Sequence, residues 1–408
     1  MRYSSELTRR NQMRGVRALL LVALLALTGC AALEDMPPAA PAVAPLPTTV
    51  PAPAVAAPSL QEAAWSDLPG WRDDDPSLAW EALLQSCDAI ASKTGWADTC
   101  AAAQALESPV RETAQRFFEA HFRPYKVVDD DGYDEGLITG YYEPLLRGSR
   151  AADRRYRYPV YGVPDDLLVI DLTELYPELG GKRLRGRVEG RRVVPYYDRS
   201  QIESGSGAFA GRKLVWVDDP IELFFLQIQG SGRVVLETGE ILRLGYADHN
   251  GHPYRSIGRQ LVDQGDLPLE RASMQGIKAW ARRNPARVRE LLDHNASYVF
   301  FRELPGDLPG PIGALGVPLT AHRSIAVDRR VVPLGAPVYI STTFPLTDQP
   351  LNRLMLAQDT GGAIHGAVRA DFFWGFGEDA AREAGRMKQA LRMWVLLPHD
   401  YAMPAGIR

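Results

Sequence analysis

Apolar residues are spaced differently in successive stretches of the chain, and the spacing predicts the elements. From Leu60 the pattern reads as helical for about sixty residues. Trp80, Leu83, Leu84 and Cys87 recur at a period near 3.6 behind Ser77, the expected N-cap. Pro109 at a first-turn position, then Val110, Ala114, Phe117, Phe118 and His121, predicts a second helix. Leu137-Ile138-Thr139-Gly140-Tyr141-Tyr142-Glu143 reads as a strand stopped by Pro144. Short β-type runs follow at Tyr156–Tyr161, Leu167–Leu172, Val193–Tyr197, Leu214–Val217 and Arg233–Leu236, separated by Gly and Asp clusters as in a small barrel. One helix interrupts them, with Asp219 as cap, Pro220 at its first position and Gly230-Ser231-Gly232 as its stop. A helical block covers Arg255–Gln264, Arg271–Arg283 and Ala286–Leu292, and Pro305, Gly306, Pro309 and Gly310 mark a linker. The C-terminal part returns to β-type runs at Ser324–Val327, Pro337–Ile340, Arg353–Gln358, Ala367–Phe373 and Leu391–Leu397, with a helix only at Glu378–Lys388. No alternating βαβ series emerges, so the expectation is an α+β or mainly β fold with helical segments.

The N-terminus carries an address. Arg2, Arg9, Arg10, Arg14 and Arg17 stand against the single Glu6, and Ala18–Leu27 is wholly apolar but too short to span a bilayer. The stretch ends in Leu27-Thr28-Gly29-Cys30, which resembles a bacterial lipobox. That resemblance implies a signal peptide over residues 1–29 and acylation of Cys30. Ala31 follows the cysteine and no retention Asp stands there, which points to the periplasmic face of the outer membrane. Met36 to Ser59 is mostly Pro, Ala and Val without a charge, so residues 30–59 read as an extended tether. At ~3.1 Å per residue the stretch from Met36 to Ser59 reaches up to roughly 70 Å.

Composition narrows the class. The 408 residues are 46% hydrophobic and 24% charged, enough apolar material for two or three domains and too much for a disordered chain. A net charge of −4 excludes a protein held on nucleic acid by bulk positive charge. With Cys30 lipidated, Cys87 and Cys100 remain. In an oxidising compartment they either pair or stay as separate buried thiols, and the sequence leaves both open.

Familiar catalytic spacings are absent: no HExxH, no GxSxG and no Walker loop. His249 and His252 on the loop HNGH lack a third ligand nearby, so no metal site and no cofactor are expected. Gly230-Ser231-Gly232 on its own is a weak signal for an anion cradle. Three aspartates differ from the solvated majority. Asp328 ends the apolar run Ile325-Ala326-Val327, Asp359 precedes Gly361-Gly362, and Asp371 lies between Ala370 and Phe372-Phe373-Trp374. Carboxyls in such settings are partly desolvated, so their pKa is expected to rise, which suits a general acid for glycosidic cleavage. The bland alternative is aspartates at strand ends that satisfy backbone N–H groups.

Over residues 110–400 the chain resembles the membrane-bound lytic murein transglycosylase A family. The resemblance rests on Thr139-Gly140-Tyr141-Tyr142, Gln229-Gly230-Ser231-Gly232, Tyr254-Arg255-Ser256-Ile257-Gly258 and Ser297-Tyr298-Val299-Phe300-Phe301. It continues through Asp328-Arg329-Arg330, Asp359-Thr360-Gly361-Gly362-Ala363-Ile364 and Asp371-Phe372-Phe373-Trp374-Gly375. It implies a double-psi β-barrel domain from residues 60–143 and 306–400, a smaller inserted β-barrel domain at 144–305, and a substrate groove between them. It further implies cleavage of the β-1,4 bond between N-acetylmuramic acid and N-acetylglucosamine with a 1,6-anhydro product. Asp371 falls on the family's catalytic acid, with Asp359 and Asp328 positioned around it and holding its pKa up. Thr139, Tyr142, Gln229, Gly230, Ser231 and Gly232 fall on glycan-binding positions. Asp328-Arg329-Arg330 departs from the usual Asp-Arg-Ser. The implied partners are peptidoglycan strands and, through the lipid, the outer membrane. A hydrolytic muramidase and a non-catalytic glycan-binding lipoprotein are the alternatives.

Overall fold

The computed structural model describes residues 59–180, 182–205 and 209–402. The basic leader, Cys30 and the Pro/Ala tether lie outside the described residues. Among the described residues no helix is long and apolar enough to cross a membrane.

The first third of the described chain contains β1 (Ser59–Glu62), α1 (Trp80–Ile90), α2 (Ala97–Gln104), α3 (Arg111–His121), β2 (Phe122–Val128), β3 (Gly136–Glu143) and β4 (Leu145–Ser149). The middle contains β5 (Tyr158–Tyr161), β6 (Leu168–Val169), β7 (Arg185–Glu189), β8 (Arg192–Pro195), α4 (Arg199–Ser204), β9 (Lys213–Val217), α5 (Pro220–Gln229), β10 (Ser231–Leu236) and β11 (Ile241–His249). Helices α6 (Ile257–Asp263), α7 (Met274–Arg283) and α8 (Val288–Asp293) precede β12 (Val299–Leu304). The last part holds β13 (Ser324–Val327), β14 (Pro337–Thr343), β15 (Pro350–Asp359), β16 (Arg369–Phe376), α9 (Gly377–Ala384) and β17 (Lys388–Pro398).

Among the described residues three sheets result. The largest has eight strands in the order β1-β2-β17-β14-β15-β13-β16-β3. Strand β17 also pairs with β3, so the path β17-β14-β15-β13-β16-β3 returns to β17. The N-terminal strands β1 to β3 therefore share a sheet with the C-terminal ones. A six-stranded sheet, β12-β11-β10-β4-β9-β5, and a three-stranded one, β6-β7-β8, come from the middle of the chain. The main core lies on the large sheet under α1 and α3, where Trp80, Phe117, Phe118, Phe122, Tyr339 and Trp394 pack together. Smaller cores lie under the six-stranded sheet and among α5 to α8.

Several expected boundaries move, each for a local reason. Leu60 lies in β1, which pairs with β2, and is not helical. Asp75, not Ser77, provides the cap before Trp80. It accepts the Ser77 N–H over a short 3-10 turn that leads into α1. Pro109 stands outside α3, whose N-cap is Val110. The helix expected at Arg255 starts at Ile257, after the Ser256 cap. The one expected at Arg271 starts at Met274, after the Ser273 cap. Lys388 opens β17, because the preceding helix stops at Ala384. Helix α5 matches its signals: Asp219 accepts two N–H groups at its start, and Gly230 ends it at φ 77°, a left-handed conformation that favours glycine. Cys87 on α1 and Cys100 on α2 are joined in a disulfide with a Cα–Cα distance of 5.3 Å.

Candidate active site

Sheet register brings the aspartates together. Asp371 on β16 lies opposite Thr139 on β3 and opposite Ala326 on β13. Ala326 in turn lies opposite Asp359 at the end of β15, after a register shift. Partners in register project to the same face of a sheet. Thr139, Asp371, Ala326 and Asp359 thus form one row. In the next row, Tyr141 lies opposite Phe373, with ring centroids 5.2 Å apart. The flanking residues Ala370 and Phe372 point the other way, into the main core.

The floor of this row is apolar. Tyr141, Leu319, Ala326, Ile364 and Phe373 make a small buried cluster around the carboxyls. Asp371 keeps some exposed surface although protein atoms pack densely round it, as at the bottom of a recess. Burial pushes its carboxyl up to about 6. The Thr139 hydrogen bond and the Arg369 charge pull it down, and the Asp359 charge adds to the rise. Thr139 donates its hydroxyl to Asp371 Oδ1 at 2.6 Å, while Arg369 Nη2 donates to the same hydroxyl oxygen at 2.8 Å. With that oxygen occupied as an acceptor, the threonine proton is directed at Oδ1. Among the described residues Asp371 Oδ2 has no hydrogen-bond partner, so the proton of the neutral acid belongs on Oδ2.

Asp359 is furnished differently. Its Oδ1 accepts the N–H groups of Ala314 and Thr360, each at 2.9 Å, and its Oδ2 accepts the Tyr141 hydroxyl at 3.1 Å. Burial still raises its pKa against these three donors. All three favour the anion, whereas Asp371 has one donor. The arrangement therefore gives Asp359 three donors and leaves Asp371 with one, its second oxygen free among the described residues.

Asp328 does not share the expected raised pKa. Burial alone would lift it, but Arg330 closes on both oxygens and the N–H groups of Gly366 and Arg330 donate to it, bringing it down to about 2. It is only 5% exposed and stays charged. It does not figure among the charges that lift Asp371, which come from Asp359 alone. Arg330 is what pins it.

The expected glycan-binding positions fall at the seam between the two larger sheets. Thr139 is beside the acid. Tyr142 is 3% exposed, packs in the main core and donates its hydroxyl to Met274 Sδ. Gln229 accepts the Tyr142 N–H at 3.0 Å and so ties the end of α5 to β3. Gly230 forms the left-handed C-cap, and Ser231 opens β10. A Cβ on Gly232 would stand 2.3 Å from Leu226 Cδ1. These glycines are thus required by the turn and its packing. His249 Nδ1 accepts the Gly251 N–H, and His252 bonds the Tyr196 carbonyl oxygen. No group of potential metal ligands occurs among the described residues. Sequence reasoning missed Tyr141 and Arg369. The two-residue period of a strand would have put Tyr141 on the face of Thr139, opposite to Tyr142.

One family model, described as the MltA specific insert domain, matches residues 137–302, and another, described as the 3D domain, matches residues 323–397. Membrane-bound lytic murein transglycosylase A of Escherichia coli (strain K12) is 33% identical over 282 residues, which is 67% of this chain and 68% of that protein. The crystal structure of MltA from Neisseria gonorrhoeae in its monoclinic form is similar with a TM-score of 0.76 and 40% identity, covering 86% of this chain and 94% of that one. That of E. coli MltA with bound chitohexaose is similar with a TM-score of 0.62 and 26% identity, covering 84% and 94%.

Proposed function

This chain belongs to the membrane-bound lytic murein transglycosylase A family, a family of peptidoglycan-cleaving enzymes, and we propose that it works through Asp371 alone as acid and then base. Asp371 Oδ2 donates its proton to the glycosidic oxygen between N-acetylmuramic acid and N-acetylglucosamine. The C1–O4 bond breaks, and the N-acetylglucosamine leaves with that proton. The muramic C6 hydroxyl attacks C1, its proton passes to the Asp371 carboxylate, and a 1,6-anhydro ring closes. No water enters, so no second carboxylate has to serve as base or nucleophile. The tethered hydroxyl also has the entropic advantage of an intramolecular attack. The anionic Asp359, oriented by Tyr141, Ala314 and Thr360, faces the positive charge that develops at C1 and keeps Asp371 protonated between turnovers. Asp328 is a structural anchor in this reading.

The observation that carries the reading is Asp371 itself: a carboxyl lifted to about 6 with one oxygen pinned by Thr139 and the other free. The closed path of six strands in the large sheet supports a double-psi β-barrel built from residues 60–143 and 306–400, with residues 144–305 inserted. A glycan strand would run along the seam between the sheets, in line with the chitohexaose held by the E. coli relative. The leader and Cys30 would place the enzyme on the periplasmic face of the outer membrane, in keeping with the "membrane-bound" of its relatives' name. Digestion of sacculi in ¹⁸O-labelled water tests the reaction type. Products free of label support intramolecular closure, and label at muramic C1 would make the enzyme a hydrolytic muramidase.

A further inference from the structure

Phe376 at the end of β16 is 55% exposed, although its strand neighbours Phe372, Phe373 and Trp374 are buried. The register explains where it points. Phe373 lies opposite Tyr141, but Phe376 lies opposite Glu143, so β16 spends one residue more than β3 between the two rows. Gly375 absorbs this bulge at φ 98°, a left-handed conformation. Without the extra residue, Phe376 would project to the face opposite Asp371. With it, Asp371, Phe373 and Phe376 share one face, and Phe376 stands on the order of 15 Å from Asp371 along the strand.

The ring is held from behind. The Arg233 guanidinium of β10 lies over it at 3.8 Å from the centroid. Arg233 is fixed in turn by Glu143, which is fully buried and accepts its Nε–H at 2.7 Å, and by its own N–H to the Pro144 carbonyl at 2.8 Å. A planar guanidinium suits one face of an aromatic ring. The guanidinium covers one face of the ring, and Phe376 remains 55% exposed.

We propose that this ring is a stacking platform for a pyranose of the glycan strand, at a binding position removed from the cleaved bond. Sugars present C–H groups from one face, and an aromatic π face attracts them, whereas an aliphatic side chain of similar bulk offers area without the π electrons. The platform belongs to the end of the β3–β16 pair but takes its orientation from β10. A strand bound there would bridge the two larger sheets. The proposal rests on the lytic reading of Asp371.

The test titrates chitohexaose into the full chain carrying Asp371→Asn, which prevents turnover, and into the same chain with Phe376→Leu or Phe376→Tyr added. Calorimetry should give a Kd about tenfold weaker for the Leu variant and within about twofold of the parent for the Tyr variant. Equal affinity of the parent and the Leu variant would overturn the platform alone. So would a Tyr variant as weak as the Leu variant, because the loss would then follow packing and not the π face. A parent that binds no chitohexaose would overturn the lytic reading and the platform with it.

Discussion

The Thr139 hydroxyl and Asp371 Oδ1 are 2.6 Å apart on neighbouring strands, and Arg369 holds the hydroxyl from its other side. The bond fixes which oxygen of the acid carries the proton, and it also lowers the acid's pKa against the effect of burial. Thr139→Val keeps the shape and removes the hydroxyl. The rate of sacculus cleavage should fall by up to about 10²-fold through loss of orientation. The acid must be protonated to work, so activity declines as pH rises through about 6, and without Thr139 that decline should move to higher pH. Thr139→Ser should restore both properties. A pH–rate profile of Thr139→Val that overlays the parent's would remove Thr139 from the site.

The raised pKa of Asp371 also predicts a stability difference. Its folded value of about 6 lies above the unfolded value, so the folded state binds the proton more tightly and loses stability as pH rises between the two. Asp371→Asn has no such loss. Urea unfolding should find the variant close to the parent at pH 3 and more stable at pH 8 by up to about 3 kcal/mol. A difference independent of pH would mean that the carboxyl is not raised.

Asp328 should behave in the opposite way. Its pKa of about 2 lies below the unfolded value, so the stability it contributes is present above that value and is lost as pH falls toward 2. Asp328→Ala leaves the Gly366 N–H without its acceptor and should cost about 1–3 kcal/mol at pH 7. Cleavage per folded molecule should fall less than in Asp371→Asn. A drop equal to that of Asp371→Asn, at unchanged stability, would return Asp328 to the chemistry.

The Cys87–Cys100 bond closes a separation of 13 residues between α1 and α2. Restricting a loop of that length in the unfolded chain contributes about 3 kcal/mol. Replacing both cysteines by alanine should lower the thermal midpoint, and a reducing agent should then have no further effect. A reductant that leaves the parent's midpoint unmoved would contradict this contribution.

Much of this fold is local enough to read from the chain. Ser324–Val327 and the Asp219-Pro220…Gly230 helix stand where their apolar spacing and end signals put them. Strand β2 was hidden, because Arg123, Pro124 and Lys126 interrupt its pattern. It is a strand because it lies between β1 and β17, and Pro124 there needs only to accept, from the Ala63 N–H. Its pairing with β17 joins residues too far apart in sequence for any local period to reveal. Asp328 and Asp371 look alike as aspartates beside apolar runs. Their environments diverge through Arg330, which folds back on one, and Thr139, which arrives from a distant strand at the other. The disulfide stayed open because sequence spacing does not give the distance between two Cα atoms.

The most direct test is mass spectrometry of the fragments released from purified sacculi by the parent and by Asp371→Asn at matched concentration. The parent should release 1,6-anhydromuramic ends, and release by the variant should be reduced by at least about 10²-fold with its fold and glycan binding retained. Reducing muramic ends from the parent, or anhydro fragments released by Asp371→Asn at near the parental rate, would contradict the lytic reading of Asp371.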